Sequence, residues 1–383
     1  MSDVKPPVRA PSVRDPRLDV FRGICLVMIF INHVPGNLYE EWTSRNFGFS
    51  DAAEGFVLMS GVAAGLAYSM DFRGFSRFWT GLARVWRRVW TLYLVHILTT
   101  VLALGAASAV AVWLNDSQLL FENQMKWVWA DPLRTFIGIP LLTHQFGYVN
   151  ILPLYLVLLV VSPVLLMLAW RWPVWLMVAS VAFWAATAQF RLTLPNYPSA
   201  GGWFFNPAAW QVIFIAGLLT GVAQKDGRRF VPVRLWLQVL TGGFVFFAYL
   251  TTLFPDLARA MGQALWSARQ AGAPWFLTNF DKTFVTAPRL LHIMALAYFL
   301  STFPMVRTIC GSWAGAPFAL LGRQALPVFA TGTVLAIALQ GVKHATGPDP
   351  AMDNLFIGGG LALQFALAAA RTYWPKGAKP RAD

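Results

Sequence analysis

Runs of apolar residues alternate with short polar segments along nearly the whole chain. A bilayer core takes about 20 apolar residues as helix. Runs close to that length fall at 18–36, 51–70, 89–114, 147–169, 173–190, 208–224, 232–253, 284–304, 317–341 and 354–374. The pattern predicts an all-α, polytopic integral membrane protein with about ten transmembrane helices. The third run is long enough to tilt. Pro153, Pro163, Gly217 and Pro327 lie within runs, where membrane helices tolerate them. Residues 135–142 are apolar but too few to cross, which predicts a re-entrant or interfacial piece. No fixed-period repeat and no strong two-fold hydropathy symmetry is visible. The organisation expected is a flexible cytoplasmic tail over 1–17, one transmembrane domain over 18–374 and a basic cytoplasmic tail over 375–383.

Composition supports the membrane reading. Of the 383 residues, 57% are hydrophobic and only 12% charged, against about 25% charged in a soluble domain. That excludes a disordered chain and argues against a water-soluble enzyme. The net charge of +13 would point to nucleic acid in a soluble protein. With the N-terminus placed in the cytoplasm, 20 of the 30 basic residues fall in cytoplasmic segments and 9 in outer ones; Arg22 lies within the first run. This bias follows the positive-inside rule. It predicts both termini inside and an even span count, and it accounts for the charge with no nucleic-acid partner. Cys25 and Cys310 read as small buried apolar residues. No small-residue cleavage site follows the first run, so that run reads as a retained span.

Ionisable groups at membrane depth are costly, which makes them functional candidates. Arg22 and His33 are 11 residues apart in the first run. At about 100° per residue they share a helix face, separated by about 16 Å. Asp19 precedes Arg22 by three and can pair with it on that face. On spacing alone this polar stripe serves equally as an anchoring pair with an interfacial cap or as the lining of a passage. The second run opens with Asp51 and Glu54 at i and i+3, so both carboxylates face one way. Asp51 also suits a helix first turn. Ser60-Gly61 permits close helix approach. Further polar groups gather at outer ends: His144, Gln145, Asn150 and Tyr155; Asn206, Trp210 and Gln211; Lys282, Arg289 and His292. Metal binding fits poorly, because the histidines are scattered and no Cys/His ligand spacing occurs. No P-loop, GxGxxG or GxSxG motif is present.

The Arg22-x10-His33 pattern resembles the motif of the membrane acyltransferase family 3 superfamily. The blocks at 17–23, 30–37 and 49–61 look closer still to the OpgC group, which modifies osmoregulated periplasmic glucans with succinyl groups. The blocks at 147–155, 205–211 and 322–329 look similar as well. The resemblance implies an acyl-CoA-dependent O-acyltransferase of the bacterial inner membrane. The donor would be a cytoplasmic acyl-CoA, with succinyl-CoA the group's best-known case, and the acceptor a periplasmic glucan; no metal is expected. Only Arg22 and His33 carry over from the superfamily motif. With that reaction in mind, His33 is the candidate general base for a sugar hydroxyl, with Asp51 or Glu54 holding its imidazole. Arg22 and Asp19 would stand on the CoA side. Asn32, Asn150, Trp210 and Gln211 are further substrate-binding candidates. Arg289 or His292 would meet a succinyl carboxylate or a glucan phosphoglycerol. The expected partners are the glucan, the acyl-CoA and the lipid bilayer, with the glucan-synthesis machinery or a second copy of the chain beyond them. Two other classes share the span pattern: a transporter or flippase for a saccharide or lipid-linked saccharide, and a catalytically silent partner of a glucan synthase.

Overall fold

The computed structural model describes residues 15–347 and 349–374. Most of the expected two tails therefore lies outside the described residues. Sixteen α-helices follow one another: α1 (Pro16–Asn32), α2 (Ala52–Tyr68), α3 (Phe78–Trp113), α4 (Gln118–Phe121), α5 (Trp127–Ala130), α6 (Pro132–Gly138), α7 (Ile151–Arg171), α8 (Pro173–Phe190), α9 (Pro207–Lys225), α10 (Leu235–Leu253), α11 (Pro255–Gln270), α12 (Ala287–Thr302), α13 (Pro304–Gly311), α14 (Ala316–Arg323), α15 (Ala325–Thr346) and α16 (Pro350–Tyr373). Their starts are set by local chemistry. Asp15, Asp51, Asn206 and Asp349 each accept a hydrogen bond from a backbone N–H of the following first turn, satisfying donors that the helix leaves unpaired.

Helices occupy all ten predicted runs. Eight among the described residues are long and apolar enough to cross a bilayer alone. A ninth crossing forms only if α12 and α13 count together, and that pair bends by 81°. The expected ten thus narrows to eight or nine. The bend follows from Pro304, because proline drives the preceding residue out of helical conformation, and Phe303 is extended at φ −94° and ψ 120°. The first run is a helix of only 17 residues, about 26 Å long against a core of about 30 Å. Conversely, α3 has 36 residues and extends past the apolar run through a turn bearing Arg84, Arg87 and Arg88.

Close backbone approach builds the centre. On α2, Gly61 and Gly65 face Gly217 and Gly221 of α9. A Cβ on any of the four would strike a backbone carbonyl oxygen of the other helix. Both pairs have the four-residue spacing that lets membrane helices touch. Gly23 and Gly322 do the same between α1 and α14, with Gly322 against the Asp19 carbonyl. Trp210, Phe214 and Leu218 of α9 are completely buried in the resulting core.

The loops sort by end. At one end Arg17 and Arg229 both donate to the Ser301 carbonyl, Arg73 pairs with Asp226 at 2.5 Å, and Gln324 donates to Thr372. At the other end Lys282 meets Asp51, Tyr39 meets Asn354, and Asn123 meets Gln340. The described chain therefore begins and finishes at the same end of the bundle. The segment holding α4, α5 and α6 folds over the second end. Met125 and Phe146 pack there against Ala103 and Ala107 of α3 and Ile337 of α15. Leu133, Phe136, Ile137 and Leu141 remain exposed. One element escaped the hydropathy reading: α11 buries no residue and carries Arg259 and Arg269 on a strongly two-faced helix.

Candidate functional site

The first helix presents its polar groups at two levels. Near the first end, Asp19 is 2% exposed and meets Arg323 of α14 at 3.6 Å. Arg22 donates to the Met59 carbonyl of α2 at 3.3 Å. At the second end His33 closes α1, its N–H donating to the Ile29 and Phe30 carbonyls. Its own carbonyl accepts from Gln340 Nε2 at 2.5 Å. The imidazole meets the Tyr148 ring edge-on, with centroids 4.6 Å apart. Among the described residues no side chain or backbone group hydrogen-bonds the ring nitrogens. A small cavity reaches His33 from within the bundle, between Phe30, Thr333 and Gln364. The Thr333 hydroxyl is buried with no hydrogen-bond partner.

The two carboxylates of α2 are bonded to other groups. Asp51 and Glu54 form a capping box: Asp51 accepts from Ala53 N at 2.8 Å, and Glu54 accepts from Asp51 N at 3.1 Å. Their remaining oxygens face cations. Lys282 reaches Asp51 at 2.5 Å, and Arg289 reaches Glu54 at 2.5 Å and Asp51 at 3.4 Å. Glu54 is completely buried. The expectation that one carboxylate holds the His33 imidazole therefore meets a different arrangement, in which both hold cations at or just before α12. The reason is charge: a buried carboxylate gains far more from a guanidinium or ammonium than from a neutral ring. Arg289 is correspondingly tied to protein carboxylates and not left for a substrate's.

Other candidates also have protein partners. His292 is 3% exposed; its Nδ1 accepts from the Ser50 backbone N–H at 3.3 Å and lies 2.7 Å from the Ser50 hydroxyl. The Trp210 indole donates to the Lys282 carbonyl at 3.1 Å, tying α9 to the ion cluster. Gln211 exchanges hydrogen bonds with Ser180 at 2.6 and 2.9 Å. Asn32 accepts from Thr43 at 2.8 Å and pins the following loop. Asn150 precedes α7 without a side-chain capping bond. These contacts make Trp210, Gln211 and Asn32 framework behind the site.

The residues that do surround His33 were not selected from the sequence. Tyr148 comes from the turn before α7 and Gln340 from α15. Both also line a second, larger cavity of about 360 Å³ at that end. The one sequence signal was Tyr148's place in the 147–155 block beside the selected Asn150.

A bundle of eight or nine bilayer-length helices, with an imidazole held at one end and basic loops at the other, defines a multi-pass membrane protein. The family described as OpgC protein matches residues 14–376, and the chain belongs to that family. Membership points to a membrane acyltransferase-type function, and so to a transferase. No curated protein and no solved structure matches the chain.

Proposed function

We propose that the protein is a transmembrane O-acyltransferase of the bacterial inner membrane. It takes a succinyl group from cytoplasmic succinyl-CoA and places it on a hydroxyl of an osmoregulated periplasmic glucan. The first end of the bundle is then cytoplasmic, with both termini there, and the His33 end periplasmic. The observation that carries this reading is the His33 imidazole. It sits half-buried at the far end from the arginine-rich loops, against the ring of Tyr148, which lines a polar cavity, with no protein hydrogen bond on its nitrogens. A ring so placed is available to a sugar hydroxyl.

In the transfer, the hydroxyl oxygen attacks the thioester carbonyl carbon while His33 takes the hydroxyl proton. The C–S bond breaks, the ester forms, and the proton ends on the departing CoA sulfur. The arginines at the cytoplasmic end attract the phosphates of the donor. Arg22 and Asp19 stand at the inner level of the stripe on α1, where the CoA side of the passage begins.

Two measurements test this. Mass spectrometry of periplasmic glucans from cells with and without the gene should differ by the mass of the acyl group. Purified protein given succinyl-CoA and glucan should release CoA thiol, and His33→Ala at normal membrane abundance should not. Protein that moves glucan across a vesicle membrane without releasing thiol is a transporter, and the proposal fails.

A further inference from the structure

The cavity lined by Tyr148 and Gln340, the neighbours of His33, has a composition of its own. It is lined by Gln118, Glu122, Asn123, Tyr148, Gln340 and Lys343, among others, and about 360 Å³ lies within it. That falls within the range of about 300–1,000 Å³ typical of small-molecule sites. Its charges are tied within the protein. Lys343 donates to Asp353 and to the Gly36 carbonyl, each at 2.6 Å, and Glu122 accepts from Gln118 at 3.0 Å. Besides Lys343, three amides, a phenol, a carboxylate and the His344 imidazole supply its polar lining. Amides and carboxylates present paired donors and acceptors, as vicinal hydroxyls do, and the tyrosine adds an apolar face. This lining suits an uncharged polyol ring. It contrasts with the arginine-rich opposite end, which suits a phosphorylated donor.

The cavity wall is also held in costly backbone conformations. Asn123, Gln124 and Tyr148 have φ of 51°, 68° and 66°, left-handed values that non-glycine residues seldom adopt. Such residues collect at ligand sites. The two strained turns clasp each other. Gly147 N–H donates to the Asn123 carbonyl at 2.8 Å, and a Cβ at Gly147 would press into the Asn123 side chain. A chain of hydrogen bonds then leads from the wall to the reaction centre. Asn123 Nδ2 donates to Gln340 Oε1 at 3.1 Å, and Gln340 Nε2 donates to the His33 carbonyl at 2.5 Å. Tyr148 completes the link by touching the His33 ring itself.

We infer that this cavity is the acceptor-sugar subsite, in which Tyr148 and the amides of Asn123 and Gln340 seat one glucose unit of the glucan against His33. The inference rests on the acyltransferase reading for its geometry of attack, but sugar binding is measurable without turnover.

The test uses full-length protein in detergent micelles and, as probe, glucan free of acyl groups prepared from a strain lacking the gene. Equilibrium binding of this glucan and of succinyl-CoA is measured for wild type, Tyr148→Ala and Glu122→Ala. Glu122 is half-buried in a surface turn, so its variant keeps the test intact if Tyr148→Ala does not fold. Each folded variant should bind glucan at least about 10-fold more weakly and succinyl-CoA as wild type does. In turnover, the KM for glucan should rise with little change in kcat, whereas His33→Ala lowers kcat. Unchanged glucan affinity in the folded variants overturns the subsite, as does an equal loss for both ligands or a wild type that binds no glucan. If wild type binds glucan through these residues yet releases no thiol, the acyltransferase reading fails and the sugar site stands.

Discussion

The ion cluster around Glu54 and the surroundings of His33 lie at the same end of the bundle and answer the cost of burial in opposite ways. In the cluster, Asp51, Glu54, Lys282 and Arg289 pair with one another, and the backbone completes the carboxylates. At His33 the backbone is fixed by Ile29, Phe30 and Gln340 while the ring is left with an aromatic neighbour and a polar cavity. Expense alone therefore does not mark a reactive group. A closed set of charges locks helices together, whereas under the proposed function the free ring nitrogens of His33 are what meets a reactant. The same cluster ties the mouth of α2 to α12, and through Lys282 to Trp210 of α9.

This contrast is broken most directly at Arg289. Arg289→Ala leaves the Glu54 carboxylate, completely buried, without its guanidinium. Removing one partner of a buried pair costs about 3–5 kcal/mol. The melting temperature in micelles should fall sharply, and Glu54→Leu added to Arg289→Ala should cost less than the two single changes together. A variant that melts with wild type would mean the cluster is not structural. Next in size is His33→Ala. Its turnover should drop about 100-fold, which corresponds to about 2.7 kcal/mol in the barrier. Its melting temperature should stay near wild type, since the ring loses no hydrogen bond. If His33→Ala melts as early as Arg289→Ala, the distinction between the two regions is gone.

The sequence carries the first side of this picture better than the second. Apolar runs located the helices because a bilayer imposes length and polarity on each one separately. The paired glycines of α2 and α9 were open to reading for the same reason: each four-residue spacing is a local property. The spacing of Arg22 and His33 correctly put them on one helix at two levels. Partnerships were hidden. Asp51 and Lys282 are 231 residues apart, and Glu54 and Arg289 are 235 apart. Periodicity tells which face of a helix is polar but not which helix it meets, so Asp51 or Glu54 was expected to hold the His33 imidazole, whereas Arg289 of α12 and Lys282 just before it bond them. Tyr148 and Gln340 were missed for another reason. A tyrosine in a turn and a glutamine in an apolar helix carry no charge to draw notice, and only the left-handed backbone at Tyr148 reveals its position as special.

The smallest expected effect extends the comparison to pairing at the surface. Asp226, past the end of α9, accepts from Arg73 at 2.5 Å and Arg228 at 3.1 Å. Partial burial raises its pKa, but the hydrogen bonds and charge of Arg73 and Arg228 outweigh it and hold the carboxyl below its ordinary value. A depressed folded-state pKa gives stability that is present above the unfolded value, about 3.9, and is lost as pH falls through the folded one. Because Arg228 is 76% exposed, solvent screens much of the attraction, and the contribution is about 1 kcal/mol or less. Asp226→Asn should therefore melt slightly below wild type at pH 7, and the gap should close as the pH is lowered below about 4. A gap that stays constant down to pH 3 would show that Asp226 acts by shape and hydrogen bonding, not by charge. A gap as large as that of Arg289→Ala would erase the difference between an ion pair sealed inside the bundle and one left at its rim.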